Sequence, residues 1–364
     1  MTYRSILNLR SISKGFAIVT LAVMTLFVFS GPRAEAKSSK QIKLKYATIS
    51  GGVGIKGDME KWFGKELEKR TENRVKVQYY FGRSLLNLKE SLEGVRNGVA
   101  DMAMYAASWF PSQLPLFHIT HQPAFVPNAK WIEDPTNLIE TIWNFWDSHP
   151  ALRNEMAKWN QTLWAAQAFY PYELFSKKPI KSIDDLDGVR IRAIGLKAKM
   201  MYKPVSAIPV SISPSEVYGA LQKNAIDAAN VGFDWGKRYG LKEVTKYLTL
   251  IRMNAGTGII TVNLDTLKKL RPDDRDAFMK LGREYSFKWA QTVNTSQNEM
   301  IESYKKEGMI INSLSDSERE KWSQLFEAQL IEAWVKTEEK AGATGVKKMT
   351  KEWLDAIGAK NIMP

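Results

Sequence analysis

Cysteine is absent from this chain of 364 residues, and histidine occurs only three times. Without cysteine the protein can form neither a disulfide nor a thiolate metal site, and no cysteine after an export signal can carry a lipid. His118 and His121 stand in the sequence HITH, which lacks the glutamate of the common zinc motif H-E-x-x-H, and only His149 remains to complete a ligand set. We therefore expect no metal ion and no other cofactor.

Beyond its first 30 residues the sequence has no apolar run long enough to span a membrane. The one long run, GFAIVTLAVMTLFVFS, has about 16 residues, fewer than the roughly 20 that a spanning helix needs. Basic residues precede this run, and the small-x-small sequence AEA follows it and ends at Ala36. This pattern predicts a signal peptide over residues 1–36, cleaved after Ala36, and a soluble mature protein exported to the periplasm or secreted. An uncleaved membrane anchor is the alternative.

The formal net charge of the chain is +13 at pH 7. The predicted leader carries four basic residues and one acidic residue, so the mature protein keeps a net charge of +10. Basic residues alternate with acidic ones, as in KELEKRTENR and SDSEREKW, which is typical of solvated helix faces rather than of a nucleic-acid surface. We expect no nucleic-acid partner, and we attribute the charge to the attraction of small anions.

The sequence contains no convincing catalytic motif. GVGIKG, at residues 52–57, has the letters of the dinucleotide fingerprint G-x-G-x-x-G, but the second strand ends in QYYFGR, without the acid that holds a ribose. We interpret this stretch as a glycine-rich turn with exposed amides at the start of a helix. Acyl transfer has little support, because there is no G-x-S-x-G motif, no cysteine and no nearby histidine base. We predict that the protein is not an enzyme.

Short β-branched runs alternate with amphipathic helical segments, which predicts an α/β fold with parallel sheets and crossover helices. The helix PSEVYGALQKN begins with Ser213 as its cap, Pro214 in its first turn and Glu216 completing a capping box. The β-rich stretch YLTLIRMNAGTGIITVN is longer than one strand requires, and residues 272–308 have the pattern of one long helix. We expect both segments to cross between two units.

Two arginines, Arg190 and Arg192, stand two residues apart in the predicted strand of DLDGVRIRAIG. A buried guanidinium needs an anionic partner, because removing water from an isolated charge costs far more than packing its stem returns. Ligands of open α/β sheets gather at the carboxyl ends of strands, and Arg192 is the nearer to that end. Arg192 is therefore the predicted anion-binding residue, and we expect Arg190 to be solvated or salt-bridged. A structural salt bridge for Arg192 is the alternative.

The sequence FSKKPIKSIDDLDGVRIRAIG, followed by IPVSISPSEVYGALQKNAIDAAN, resembles the central block of the solute-binding proteins of tripartite ATP-independent periplasmic (TRAP) transporters, DctP type. That family's pattern runs K-P-I, D-L-x-G-x-x-I-R, a strand, and E-V-Y-x-A-L-Q-x-x-x-x-D. Upstream, YFGRSLLNLKESLEGVRNGVADMAM resembles its G-x-L and G-x-x-D segment. The resemblance covers essentially the whole mature chain and implies a two-lobed periplasmic-binding-protein-like fold, with hinge strands and a long lobe-spanning helix.

The expected lobes are discontinuous in the chain. We predict that lobe I comprises residues 37–169 and about 258–297, and that lobe II comprises residues 170–257 and about 298–364. The resemblance implies that the two lobes close around a small organic acid in the periplasm and that the receptor delivers this ligand to the membrane permease subunits of a TRAP transporter.

The resemblance also assigns residues to the ligand site. The carboxylate-binding arginine of the family matches Arg192, and Asn230 is the nearest match to a polar ligand residue that follows the E-V-Y helix. Many members carry a second arginine where this sequence has Tyr172. The remaining expected pocket residues are aromatic: Tyr105, Trp109, Tyr170, Tyr172, Phe233 and Trp235. The alternative is that about half of these aromatic residues belong to the core.

A pocket with one arginine and several aromatic rings predicts a monocarboxylate ligand with an apolar or aromatic body. A guanidinium also pairs with sulfonates, so a sulfonate or zwitterion receptor is an alternative. The sequence does not separate a transport receptor from an extracytoplasmic sensor subunit that binds the same ligand. A periplasmic enzyme that uses the same cleft is a less favoured alternative.

Overall fold

The computed structural model describes residues 41–121, 133–193, 200–253, 255–340 and 342–357. The predicted signal peptide and its cleavage site lie outside these residues. The first half of the described chain contains β1 Ile42–Ala47, α1 Gly54–Arg70, β2 Val75–Tyr80, α2 Ser91–Arg96, β3 Met102–Tyr105, α3 Pro115–His118, α4 Pro135–Ser148, α5 Pro150–Lys158 and β4 Gln161–Ser176. The alternation of strands and helices predicted from the sequence is confirmed in this half.

The second half continues the alternation and ends in helices. Its elements are β5 Arg190–Arg192, β6 Ile208–Val210, α6 Val217–Gln222, β7 Ala228–Gly232, α7 Phe233–Arg238, β8 Tyr247–Leu250, β9 Ala255–Asn263, α8 Leu264–Lys269, α9 Pro272–Lys306, β10 Ile310–Ser313, α10 Asp316–Gln324, α11 Glu327–Lys340 and α12 Val346–Ala356. The capping box of Ser213 and Glu216 is confirmed, although it opens a 3-10 turn that precedes α6. The predicted long helix is also confirmed, because α9 runs for 35 residues.

The strands are hydrogen-bonded in the order β2-β1-β3-β9-β4-β7-β5-β6, with β8 paired to β4 and β10 paired to β8. The pairs of β1 with β2 and β3, of β5 with β6 and β7, and of β8 with β10 are parallel. The prediction of parallel sheets was wrong for β4 and β9, which run antiparallel to their neighbours. Strand β4 runs directly from one half of the sheet into the other, without a crossover helix that would make it parallel to its neighbours.

Strand β4 belongs to both halves of the sheet. Its residues 161–171 pair with β9, whereas its residues 172–176 pair with β7 and β8. We call the half that contains β1, β2, β3 and β9 lobe I, and the half that contains β5 to β8 and β10 lobe II. The chain thus has the predicted two-lobed α/β fold, while the boundaries given above for each lobe stay predictions.

The long helix α9 packs directly on β4. At Gly282 the two backbones are so close that a Cβ atom would stand 2.0 Å from the carbonyl oxygen of Trp164. Trp164 is fully buried, and its indole nitrogen donates to the carbonyl of Phe278 on the same helix at 2.9 Å. Farther along α9, Tyr304 donates to the carbonyl of Phe233 in lobe II at 3.1 Å. The helix therefore contacts both lobes, as the sequence predicted.

Each lobe has an apolar cluster of its own. The cluster of lobe I includes Tyr46 and Phe63, and that of lobe II includes Phe175 and Leu248. Within the described ranges, no helix is both long enough and apolar enough to cross a membrane.

Candidate functional site

Arg192 is the last residue of β5 and is only 3% exposed. Its Nε donates to the carbonyl of Ile212 at 3.2 Å, and its Nη1 donates to the carbonyl of Asn230 at 3.1 Å. Two backbone carbonyls therefore orient the guanidinium without neutralising its charge. A guanidinium has five N–H groups, and among the residues that the structure describes no acceptor is found for the second N–H of Nη1 or for the two of Nη2.

The charge of Arg192 has no protein counter-ion in the part of the chain that the structure describes. Burial lowers the pKa of this guanidinium, and nearby Tyr172 and Tyr239 only partly oppose that effect. The salt-bridge alternative for Arg192 therefore finds no support among the described residues. A buried cation held by carbonyls alone is costly in the absence of an anion, which is the property expected of an anion-binding residue.

Arg190 has the other role predicted for it. Its Nε and Nη2 donate to the two carboxylate oxygens of Asp227, each at 2.8 Å. This bidentate ion pair lowers the pKa of Asp227 and raises that of Arg190. Arg190 is therefore neutralised within the protein, as expected, whereas the anion-binding role of Arg192 stays a prediction.

Asn230 lies on β7 beside Arg192 and is 3% exposed. Its carbonyl oxygen is used by Arg192, but the Nδ2 of its side chain is buried without a hydrogen-bond partner in the described chain. An unsatisfied buried donor costs free energy. An acceptor atom of a ligand that reached both Arg192 and Asn230 would satisfy this donor as well as the guanidinium.

Aromatic rings stand next to the guanidinium. The guanidinium carbon of Arg192 is 5.7 Å from the ring centre of Trp235. The ring centre of Trp235 is in turn 5.9 Å from that of Tyr172 and 6.4 Å from that of Tyr239. We call Arg192, Asn230, Tyr172, Trp235 and Tyr239 the Arg192 cluster. It combines one cation with an apolar, polarisable wall, which suits an organic anion with an apolar body.

The other aromatic residues predicted for the pocket have contacts outside the Arg192 cluster. Tyr105 is fully buried, and its hydroxyl donates to Gln161 at 3.0 Å. Phe233 is also fully buried, in the apolar cluster of lobe II. Trp109 is half-buried against a third apolar cluster, which includes Leu114 and Phe117. The hydroxyl of Tyr170 lies 2.6 Å from that of Ser296 on α9. For Tyr105 and Phe233 these positions favour the alternative that they belong to the core.

Two charged residues near the Arg192 cluster were missed by the sequence reasoning. Asp234 is half-buried at the start of α7, and burial raises its pKa, while Arg238 and Lys56 oppose the rise. The Nζ of Lys56 stands 5.8 Å from the ring centre of Phe169, and burial lowers the pKa of this lysine. The sequence did contain a signal for both residues. Lys56 belongs to the glycine-rich stretch GVGIKG, and Asp234 lies between two predicted pocket residues, Phe233 and Trp235. Their mutual proximity depends on the fold, because α1 and α7 belong to different lobes.

His118 lies in the protein interior and is 6% exposed. Its Nδ1 is 3.6 Å from Glu338 Oε1, and its ring is packed edge-on against Trp334. In residues 41–121, 133–193, 200–253, 255–340 and 342–357, no group of three or more histidine, cysteine and carboxylate side chains could hold a metal ion.

Comparison with known proteins assigns the chain to a family. Residues 54–337 match the family "Bacterial extracellular solute-binding protein, family 7", DctP. The sialic acid-binding periplasmic protein SiaP of Vibrio cholerae is 25% identical over 296 residues, which cover 80% of this chain and 87% of that protein.

Solved structures show the same fold. A TRAP periplasmic solute-binding protein of Desulfovibrio salexigens, an open complex, superposes with a TM-score of 0.76 at 23% identity and covers 88% of this chain and 97% of its own. A TRAP solute-binding protein of Rhodoferax ferrireducens in complex with copurified benzoate gives a TM-score of 0.69 at 18% identity, with 88% and 98% covered. These proteins are receptors rather than enzymes, as predicted for this chain. With a family match over residues 54–337 and this fold, the chain belongs to the bacterial extracellular solute-binding proteins of family 7, the DctP family of TRAP transporters.

Proposed function

We propose that the protein is a periplasmic receptor that captures a small organic monocarboxylate with an apolar or aromatic body and delivers it to a TRAP-type membrane permease. The predicted signal peptide, cleaved after Ala36, would export the receptor. Closure of the two lobes around the ligand would present it to the permease subunits. The observation that carries the proposal is the state of Arg192: a guanidinium 3% exposed, oriented by two carbonyls and paired with no carboxylate of the described chain.

Carboxylate chemistry fits this geometry. A carboxylate accepts two parallel bonds from a guanidinium, and each charge-assisted bond contributes roughly 1.5–3 kcal/mol. The Nδ2 of Asn230, for which the described residues offer no acceptor, would supply one further donor to the same anion. Trp235 and Tyr172 provide ring faces for the body of the ligand. A sulfonate offers the same acceptor oxygens and is therefore the nearest alternative within this proposal.

A zwitterion is the second candidate ligand, and Asp234 favours it. A methyl group at Gly232 would stand 3.0 Å from Asp234 Oδ1 and 3.6 Å from the ring of Tyr172, so this carboxylate lies beside the aromatic wall. Partial burial raises the pKa of Asp234. A ligand ammonium between this carboxylate and the rings of Tyr172 and Trp235 would be attracted by both. The two candidates thus differ in whether the ligand carries a cation opposite its carboxylate.

Thermal unfolding with matched small acids tests the proposal. The compounds are benzoate, benzenesulfonate, 3-phenylpropanoate and phenylalanine, the last of which differs from 3-phenylpropanoate by an ammonium group. A ligand at one hundred times its dissociation constant adds about 2.7 kcal/mol to stability. With an unfolding entropy of about 2.1 cal/mol/K per residue over about 330 residues, this corresponds to a rise of about 4 °C in the unfolding midpoint.

The pattern of shifts separates the candidates. A rise with benzoate or 3-phenylpropanoate, and none with phenylalanine, would support the monocarboxylate. A rise with phenylalanine alone would transfer the proposal to the zwitterion, and a rise with benzenesulfonate alone to the sulfonate. If none of these compounds, nor a wider panel of organic acids and sulfonates, shifts the midpoint, the assignment of Arg192 as an organic-anion site is wrong.

A further inference from the structure

Besides α9, two chain segments connect the lobes; these two lie side by side, but regular strand pairing stops between them. On β4, the last pair with β9 is Pro171 with Ala255, and the first pair with β8 is Leu174 with Thr249. We call residues 171–174 and 250–253 the crossing. Residues 172–174 keep their pairs with β7 inside lobe II, but within the described chain no strand pair joins residues 172–173 to residues 250–253. A hinge between two lobes must lie where few backbone bonds join the connecting segments, and the crossing is such a place.

In the crossing, one side chain replaces the missing backbone pairs. Oε2 of Glu173 accepts from the backbone nitrogen of Ile251 at 2.5 Å and from that of Arg252 at 3.1 Å. Glu173 is fully buried on β4, while Ile251 and Arg252 follow the last residue of β8. A carboxylate of one connecting segment thus holds two successive amides of the other.

Arg252 completes the connection. Its Nε stands 3.8 Å from Glu173 Oε1, and the residue is 7% exposed. Its backbone has a φ of 53°, in the left-handed region that non-glycine residues rarely adopt. Such a conformation persists only where the surroundings impose it, and it is concentrated in clamps and switch regions. The bonds from Glu173 to the amides of residues 251 and 252 are the visible constraint at this position.

The contact between the two side chains is incomplete. Glu173 Oε1 and Arg252 Nη1 are both buried, and neither has a hydrogen-bond partner in the described chain. The charged and titratable groups that face Glu173 are Arg252, Arg319 and Tyr202. Because unsatisfied buried groups are costly, a change in the angle at which the two segments cross would change the free energy of this pair by making or breaking these contacts.

The next residue along β4 belongs to the ligand site. Tyr172 precedes Glu173 directly, and its ring stands against Trp235, which in turn lies beside Arg192. We propose that Glu173 and Arg252 are the positioning pair of the hinge: by tying the two connecting segments together they set the angle between the lobes and the place of Tyr172 in the Arg192 cluster. This inference rests on the proposed receptor function, since lobe closure matters only to a protein that encloses a ligand.

The distance between the lobes, measured without ligand, tests the pair. Because the chain has no cysteine, spin labels attach only to introduced ones, at the exposed positions Lys65 on α1 in lobe I and Gln222 on α6 in lobe II. Pulsed electron paramagnetic resonance on the otherwise wild-type chain should give one narrow distance distribution. Glu173→Gln, which keeps the size of the side chain and removes its charge, should broaden that distribution or add a second distance.

A matched control exists in lobe I. Glu155 is also a buried carboxylate that accepts two successive amides, those of residues 116 and 117 at 2.9 and 2.8 Å, but it lies on α5, away from the crossing. Glu155→Gln should lower stability and leave the distance distribution narrow. If Glu173→Gln does not fold, Arg252→Gly replaces it, because glycine adopts positive φ without strain, and the same broadening is expected.

The outcomes are distinct. Broadening in Glu173→Gln or Arg252→Gly, but not in Glu155→Gln, supports the positioning pair. Wild-type distributions in both crossing variants, or equal broadening in Glu155→Gln, would show that the network is merely structural and would overturn the inference. The distance measurement uses no ligand. A ligand screen without any thermal shift would therefore refute the proposed function without changing the outcome for the positioning pair.

Discussion

The substitution Arg192→Ala removes a guanidinium that two carbonyls orient and that no described carboxylate neutralises. If an organic carboxylate accepts two charge-assisted bonds from it, the loss is about 3–6 kcal/mol of binding free energy. Since about 1.4 kcal/mol corresponds to a tenfold change in affinity, the dissociation constant should rise roughly a hundred- to ten-thousand-fold.

The fold should survive the same substitution. Two hydrogen bonds to the carbonyls of Ile212 and Asn230 are lost, each contributing about 0.5–1.5 kcal/mol net. Against this loss, the protein no longer buries a cation whose pKa is already lowered by desolvation. The two effects oppose each other, so we expect the free energy of unfolding to change by no more than about 2 kcal/mol.

Titration calorimetry with the acid that gives the largest thermal shift measures the affinity, and urea unfolding measures the stability. Arg190→Ala is the matched control, because Arg190 comes from the same strand but is neutralised by Asp227 near the surface. The control should bind normally and lose at most about 1 kcal/mol of stability. Equal losses of affinity in both variants would refute the reasoning, as would normal binding by Arg192→Ala.

Two further predictions concern stability. Burial raises the pKa of Glu155 and Glu173 from 4.5 to about 7, so the folded state binds these protons more tightly than the unfolded chain does. Each group therefore stabilises the fold most below about pH 4.5 and loses about 3 kcal/mol of that contribution as the pH rises to about 7. In urea unfolding, Glu155→Gln should weaken this pH dependence, and an unchanged dependence would contradict the raised pKa. Separately, Gly282→Ala should lower the free energy of unfolding by at least about 3 kcal/mol, because its Cβ would stand 2.0 Å from a backbone oxygen of β4. The control is Gly219→Ala on α6, where a Cβ would meet nothing within 4 Å, so the free energy of unfolding should stay the same or rise by up to about 1 kcal/mol. Equal melting temperatures of the two variants would refute the close approach of α9 to β4.

Much of the fold could be predicted because its signals are local. The period of apolar residues distinguishes strand from helix, and the capping box of Ser213 and Glu216 marks a helix start through contacts only three residues apart. The 35 residues of α9 carry one uninterrupted helical pattern. The directions of β4 and β9 could not be predicted in this way, because strand direction depends on which distant strand supplies the hydrogen bonds.

The candidate site was predictable to a smaller extent. Arg192 could be proposed as the anion-binding residue because a permanent charge within a buried strand departs from the usual pattern, and such a departure can be seen in the sequence. The aromatic residues follow no such rule, since a tyrosine or tryptophan is equally compatible with a core and with a pocket wall. Tyr105 thus fills the core while Tyr172 stands beside Trp235, although both belong to similar β-rich segments.

The sequence by itself determined the α/β class, the two-lobed organisation and the long helix, and it singled out Arg190 and Arg192 as charges within a predicted strand. The tertiary structure alone decided that Glu173 holds the amides of Ile251 and Arg252, and that Lys56 lies near Asp234. The physical reason is the separation along the chain over which each kind of interaction acts. Periodicity, caps and unusual charges act over a few neighbouring residues, whereas these contacts join residues that are distant in the chain and meet only after the strands have paired and the lobes have packed.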